Sequence, residues 1–146
     1  MSKVNAFENS VLLLVFNNTD IANIGDAAGL LQSTTAGSLY VALFTADPTD
    51  SGGISAECDY GDYARVAVAR SGAGWTVAAD TASNAAAVEF VVCASGDNTV
   101  THFGIAKTVT TSADDLIYAA ALTAPRSVTA GITPTFAIGA LTVTEG

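Results

Sequence analysis

Residues 38–48, SLYVALFTADP, hold the longest apolar run that admits one reading. Leu39, Tyr40, Val41, Ala42, Leu43 and Phe44 are apolar on both alternation phases, between Gly37-Ser38 and Asp47-Pro48. Only about six residues separate those breakers, fewer than the roughly ten a helix needs, so the run predicts a strand covered on both faces. The core is therefore a sheet, and later segments pack on this strand.

Ahead of it, Val4, Phe7, Val11, Leu14 and Val15 recur at helical spacing, and Asn5 followed by Glu8 resembles a capping box. This predicts an amphipathic helix of about three turns inside the segment 1–19. Leu12, Leu13 and Phe16 widen its apolar face beyond what one flank of a small sheet needs. We expect them at an oligomer interface, although complete burial within the domain explains them equally well. Asn17-Asn18-Thr19-Asp20 ends the helix, because these side chains compete for backbone hydrogen bonds. Gly25 and Gly29 break any period in residues 21–33, which read as a compact loop.

Downstream the pattern alternates. Residues 63–70 carry Ala64, Val66 and Val68 on one phase and Arg65, Ala67 and Ala69 on the other. Trp75, Thr76 and Val77 follow a glycine turn, with Trp75 expected in the core or an interface. Residues 80–84 read as a turn. Ala86, Val88, Phe90 and Val92 form one strand face with Glu89 opposite, and Ser95-Gly96-Asp97-Asn98 closes a hairpin into residues 100–107. Leu116, Tyr118, Ala120 and Leu122 begin another strand after an Asp114-Asp115 turn. Residues 126–130, 135–138 and 141–144 supply the last short ones. About eight strands behind one helix predict an all-β fold, a single β-sandwich or jelly-roll-like domain over residues 1–146.

Composition narrows the partners. Half the residues are hydrophobic and 13% charged, with 14 acidic against 5 basic side chains and a net charge of −9. Lys3, Arg65, Arg70, Lys107 and Arg126 are scattered, so no basic stripe meets a phosphate backbone. Neither nucleic acid nor a membrane is expected as a partner. The run from Val11 to Phe16 is far shorter than the roughly twenty residues of a membrane span. A signal peptide is not expected, since Lys3 alone would form its basic end and no Ala-x-Ala site follows.

Candidate chemistry is thin. His102 is the only histidine, and neither GxSxG nor HExxH occurs. On its strand phase a hydrogen-bonded structural role is expected. Glu57, Asp59 and Asp62 lie close together, but without the alternating oxygen ligands of a calcium loop they read as a solvated loop. Glu57, Asp59, Glu89 and Asp115 could supply a carboxylate pair only if the fold brought two of them together. Cys58 and Cys93 lack zinc-type spacing and read as free thiols. No catalytic, cofactor-binding or metal residue is assigned.

In the order of residues 21–26, SLYVALFTADP, YARVAV at 63–68, SGAGW at 71–75, SNAAAVEF at 83–90, TVTHFGI at 99–105 and GITPTFAIGALTVT at 131–144, the chain resembles small tailed-bacteriophage virion proteins, often labelled tail-fibre or minor structural proteins. The resemblance runs from about Asp20 onward. It implies a non-enzymatic virion component, made in the host bacterial cytoplasm, whose partners are other virion proteins and copies of itself. The expected placement is capsid decoration: a cement protein, homotrimeric by analogy, bound to the major capsid protein. The alternative is a tail-fibre or minor tail structural protein. Fibres usually draw length from heptads or repeats, and neither is present.

Overall fold

The computed structural model describes residues 2–49, 54–110 and 115–146. Among them are one α-helix, one short 3₁₀ turn and nine strands, and all the strand pairs whose register is defined are antiparallel. The fold is mostly β with an N-terminal helix, and its open sheets are of the sandwich-like kind. The chain forms two compact units and passes between them repeatedly. Asp114, read above as half of a turn, and residues 50–53 of the loop holding Glu57 lie outside the described residues.

The first unit contains the residues up to Ser38, Ala69–Ala87 and Ala137–Gly146. Helix α1 (Asn5–Asn17) opens it. Val4 occupies the N-cap position and no side chain caps it, so the Asn5/Glu8 box does not form: Asn5 is already inside the helix. Asn18 ends the helix in the left-handed conformation at φ 53°, and its N–H and that of Thr19 both return to the Leu13 carbonyl. Arg70 supplies the second stop. Its guanidinium donates to the carbonyls of Leu14 (2.6 Å) and Val15 (2.7 Å) and to Ser33 Oγ (2.9 Å). A cation on the last-turn carbonyls is favourable for the helix dipole as well as for hydrogen bonding.

The helix packs on β3 (Trp75–Ala78) and β4 (Thr81–Asn84), with β9 (Thr142–Thr144) completing a sheet in the order β3-β4-β9. Phe16 meets Trp75 edge-on at 4.8 Å between ring centroids, and both are fully buried. The Trp75 indole N–H finds no acceptor among the described residues. β4 occupies the stretch read as a turn, which shrinks to Ala79-Asp80 with Ala79 at φ 54°. What makes this polar stretch a strand is Asn84, only 1% exposed. Its Nδ2 donates to the carbonyls of Ala86 (2.7 Å) and Ala137 (2.9 Å), and its Oδ1 accepts from the Leu141 N–H (2.9 Å). A fully bonded amide can sit inside without the penalty of an orphaned one.

The second unit contains Leu39–Val68 and Val88–Phe136. Its main sheet has the order β2-β1-β6-β7, from β1 (Ser38–Phe44), β2 (Val66–Ala69), β6 (Asp97–Ala106) and β7 (Leu116–Thr129). As the double-phase pattern requires, Val41, Ala42, Leu43 and Phe44 are all fully buried, and β1 lies centrally, with Val41 opposite Ile105 and Leu43 opposite Phe103.

Two expectations fail here. β5 is only Val88–Glu89 and pairs with β8 (Thr135–Phe136) rather than forming a hairpin with β6. Its alternation breaks after Phe90: Val92 turns outward and Cys93 inward, while the Phe90 and Cys93 N–H groups bond the Pro134 and Ile132 carbonyls. The segments read as two strands around Leu116 and Arg126 are one strand, β7. Its register against β6 jumps between Val100↔Arg126 and His102↔Ala121. That bulge absorbs Pro125, which has no N–H to give a ladder.

Candidate functional site

Arg65, Glu57, Tyr63 and Asp115 converge at one place in the second unit, and they do so as a clamp. Arg65, on the strand phase it shares with Ala67 and Ala69, is buried. Its Nε and Nη2 donate to the two carboxylate oxygens of Glu57, each at 2.8 Å, in a bidentate fork. Its Nη1 donates to the carbonyls of Thr108 (3.0 Å) and Thr110 (3.1 Å) and lies 3.7 Å from the Asp115 carboxylate. Thr108 Oγ1 donates to that same carboxylate. Tyr63 donates its hydroxyl proton to Glu57 (3.0 Å) and accepts from the Leu43 N–H (2.9 Å) on β1.

The hydrogen bonds to Glu57 hold the Arg65 guanidinium above its ordinary value, and burial pushes the Tyr63 phenol strongly upward. Each nitrogen of the Arg65 guanidinium and both Glu57 oxygens face a partner that fixes a strand or loop. Glu57, expected in a solvated loop, has a side chain only 4% exposed. Asp59 does not join it. Its N–H and that of Tyr60 donate to Asn98 Oδ1, and its carboxylate accepts from Asn98 Nδ2, tying this loop to the start of β6. Glu89 is exposed on β5. Among the described residues no cluster of His, Cys, Asp and Glu could hold a metal ion.

His102 is half-buried on β6 and pairs through Nδ1 with the Thr101 hydroxyl at 2.9 Å. Cys58 and Cys93 are both buried free thiols. Burial pushes Cys58 up to about 12, and Cys93 donates to the Ser95 carbonyl at 3.3 Å. Of the helix residues expected at an interface, Leu12 and Phe16 are fully buried in their own unit, and Leu13 is half-exposed; nearer the helix start, Val4 and Phe7 are exposed.

Among the described residues, part of the exposed apolar surface belongs to β7. It is the last strand of its sheet, and its residues alternate between half-buried (Leu116, Tyr118, Ala120, Leu122) and exposed (Ile117, Ala119, Ala121, Thr123). Toward its C-terminal end an open groove of about 380 Å³ runs between β7 and the approach to β8, lined by Pro125, Arg126, Ser127, Ile132, Thr133 and Thr135. The periodicity found this strand but, having cut it in two, not its length.

Buried polar groups that lock loops to strands, within antiparallel sheets, define a β-rich fold. A family model described as podophage GP4 fiber I protein gp80 matches residues 5–144, and the chain belongs to that family of phage fibre structural proteins. No curated protein matches the chain. The family carries the resemblance seen in the sequence. It also moves the weight from capsid decoration, which nothing here supports, to the alternative, a tail-fibre or minor tail structural protein.

Proposed function

We propose that this protein is a non-enzymatic building block of a podophage tail fibre, seated on the virion tail, with other tail or fibre proteins and copies of itself as its partners. The match to a fibre-protein family over residues 5–144 carries this reading. The Arg65 cluster supports it, because its polar atoms are consumed in holding strands and loops together. The assembly is a homotrimer by analogy with other fibre and decoration proteins, one of the closed symmetries that cover the same apolar patch on every copy. The helix residue available to such an interface is Leu13.

Gold-labelled antibody on purified particles should mark the tail. Label confined to the capsid exterior would reject the placement and return the protein to capsid decoration. Light scattering of the purified protein should give three times the chain mass, and a monomer would reject the oligomer.

A further inference from the structure

Of the five basic side chains in this acidic protein, three have their charge engaged: Lys3 with Glu145, Arg65 with Glu57, and Arg70 with the last carbonyls of α1. Lys107 is exposed on a bend beyond β6. Arg126 lines the groove between β7 and the approach to β8. It is exposed, and among the described residues its guanidinium meets no hydrogen-bond or ion-pair partner. In a chain of net charge −9 it is also the one charged residue between Leu116 and Thr144. The fold makes no use of this cation, so its five fixed donors stay available.

The groove around it has the make-up of a small-ligand site. Its volume of about 380 Å³ falls within the roughly 300–1,000 Å³ of ligand pockets, whereas a stable protein partner needs about 800 Å² of contact. Val128 and Pro134, both buried, present an apolar floor. Ser127, Thr133 and Thr135 present hydroxyls. Those of Ser127 and Thr133 make no hydrogen bond among the described residues, and that of Thr135 reaches the Thr133 carbonyl only at 3.5 Å.

We infer that this groove binds a sugar carrying a single carboxylate, of the uronic-acid type. The inference stands on the chemistry of the groove and not on the tail placement. A guanidinium fork matches a carboxylate bidentately. A pyranose ring has an apolar C–H face for the floor of Val128 and Pro134, and an edge of hydroxyls that can exchange hydrogen bonds with Ser127, Thr133 and Thr135. A bare inorganic anion calls for several converging cationic or amide donors, and one guanidinium lines the groove. A peptide's terminal carboxylate would share the fork but bring no ring hydroxyls to the other three side chains. Multiply charged glycans are disfavoured, since acidic residues stand on the strands alongside, Glu89 opposite Thr135 and Asp97 opposite Thr129.

The test follows the amide signals of the full-length protein by NMR during titration with glucuronic acid, glucose, acetate and acetyl-alanine. Glucuronic acid should shift Ser127, Val128, Thr133 and Thr135 and bind about ten-fold more tightly than glucose, the difference a charge-assisted contact makes. It should also bind more tightly than acetate or acetyl-alanine. Arg126→Gln, at an exposed position, should keep the wild-type circular dichroism spectrum, bring glucuronic acid down to the affinity of glucose, and leave glucose unchanged. Thr133→Val should weaken both sugars and leave acetate unchanged. Absence of any shift, shifts confined to other parts of the chain, equal binding of the two sugars, or undiminished glucuronic acid binding by Arg126→Gln would overturn the site. Acetate or acetyl-alanine binding as tightly as glucuronic acid would overturn the sugar assignment. None of these outcomes bears on the tail placement, which antibody labelling reads separately.

Discussion

Replacing Arg65 by Met tests whether the buried cluster is the clamp of the second unit. The change keeps most of the aliphatic bulk and removes the guanidinium. Glu57, with a side chain 4% exposed, then keeps only the Tyr63 hydroxyl as a partner, the Thr108 carbonyl loses its Arg65 donor, and the Thr110 carbonyl keeps only the Thr108 hydroxyl. Breaking a buried ion pair from one side costs about 3–5 kcal/mol, because the remaining charge stays desolvated. Set against a total of about 5–15 kcal/mol for a typical domain, that is a loss visible in any denaturation curve. The pair itself is a different matter. Removing both charges, as Arg65→Met with Glu57→Leu, should restore much of the loss, since an apolar replacement of a buried pair is often neutral or better. Urea unfolding followed by circular dichroism measures both. Arg65→Met within about 1 kcal/mol of wild type, the range of an exposed ion pair, would refute the clamp. So would a double variant no more stable than the single one.

Asn84→Ala should cost about 2–4 kcal/mol, since it strips the Ala86 and Ala137 carbonyls and the Leu141 N–H of buried partners, and urea unfolding would show it. Arg70→Ala should lower stability by about 1–2 kcal/mol and speed amide exchange over residues 13–17, because the last carbonyls of α1 lose their cation. Gly29→Ala should be worse than a left-handed alanine alone, because the new Cβ would lie 1.9 Å from the backbone oxygen of Ile21; loss of the Ile21–Leu30 bridge is the readout by NMR. Cys58 has its folded value raised from 9.0 to about 12, so the folded state holds the proton longer than the unfolded chain. Its contribution is therefore complete below pH 9 and is lost as pH rises toward 12, and Cys58→Ala should flatten that part of the stability-against-pH curve.

The sequence made β1 legible because breakers bracket a run apolar on both phases, and it made α1 legible because its period is helical over several turns. Fold class followed from those two and the later alternation. What alternation cannot register is a polar residue whose bonds are supplied from far along the chain. Asn84 looked like a turn residue until Ala137 and Leu141 came to meet it. Arg65 sat on an ordinary strand phase, and Glu57 in an ordinary loop, until the fold closed the fork between them. The length of β7 was missed in another way: residues 116–122 and 126–130 read as separate strands, yet a bulge carries β7 through Pro125. The β5 pairing was out of reach for a related reason, since Ser95-Gly96 is a plausible hairpin turn and only the folded chain brings Pro134 and Ile132 alongside instead. On the helix, period alone could not divide Leu12 and Phe16, which are buried, from Leu13, which is half-exposed.

The way the two units share one chain sets the timetable of folding. The helix-bearing unit draws on three separate stretches, and β9 pairs with β4 across more than half of the other unit's sequence. A ribosome therefore cannot release the first unit finished while it makes the second. Its sheet stays one strand short until Thr142–Thr144 has emerged, and such long-range pairing is slow because loop closure precedes its reward. During that interval Leu12, Phe16 and Trp75 lack a complete sheet to lie on. Premature termination anywhere before β9 leaves a sticky polypeptide rather than a smaller working part, so assembly is reserved for chains that have been read through.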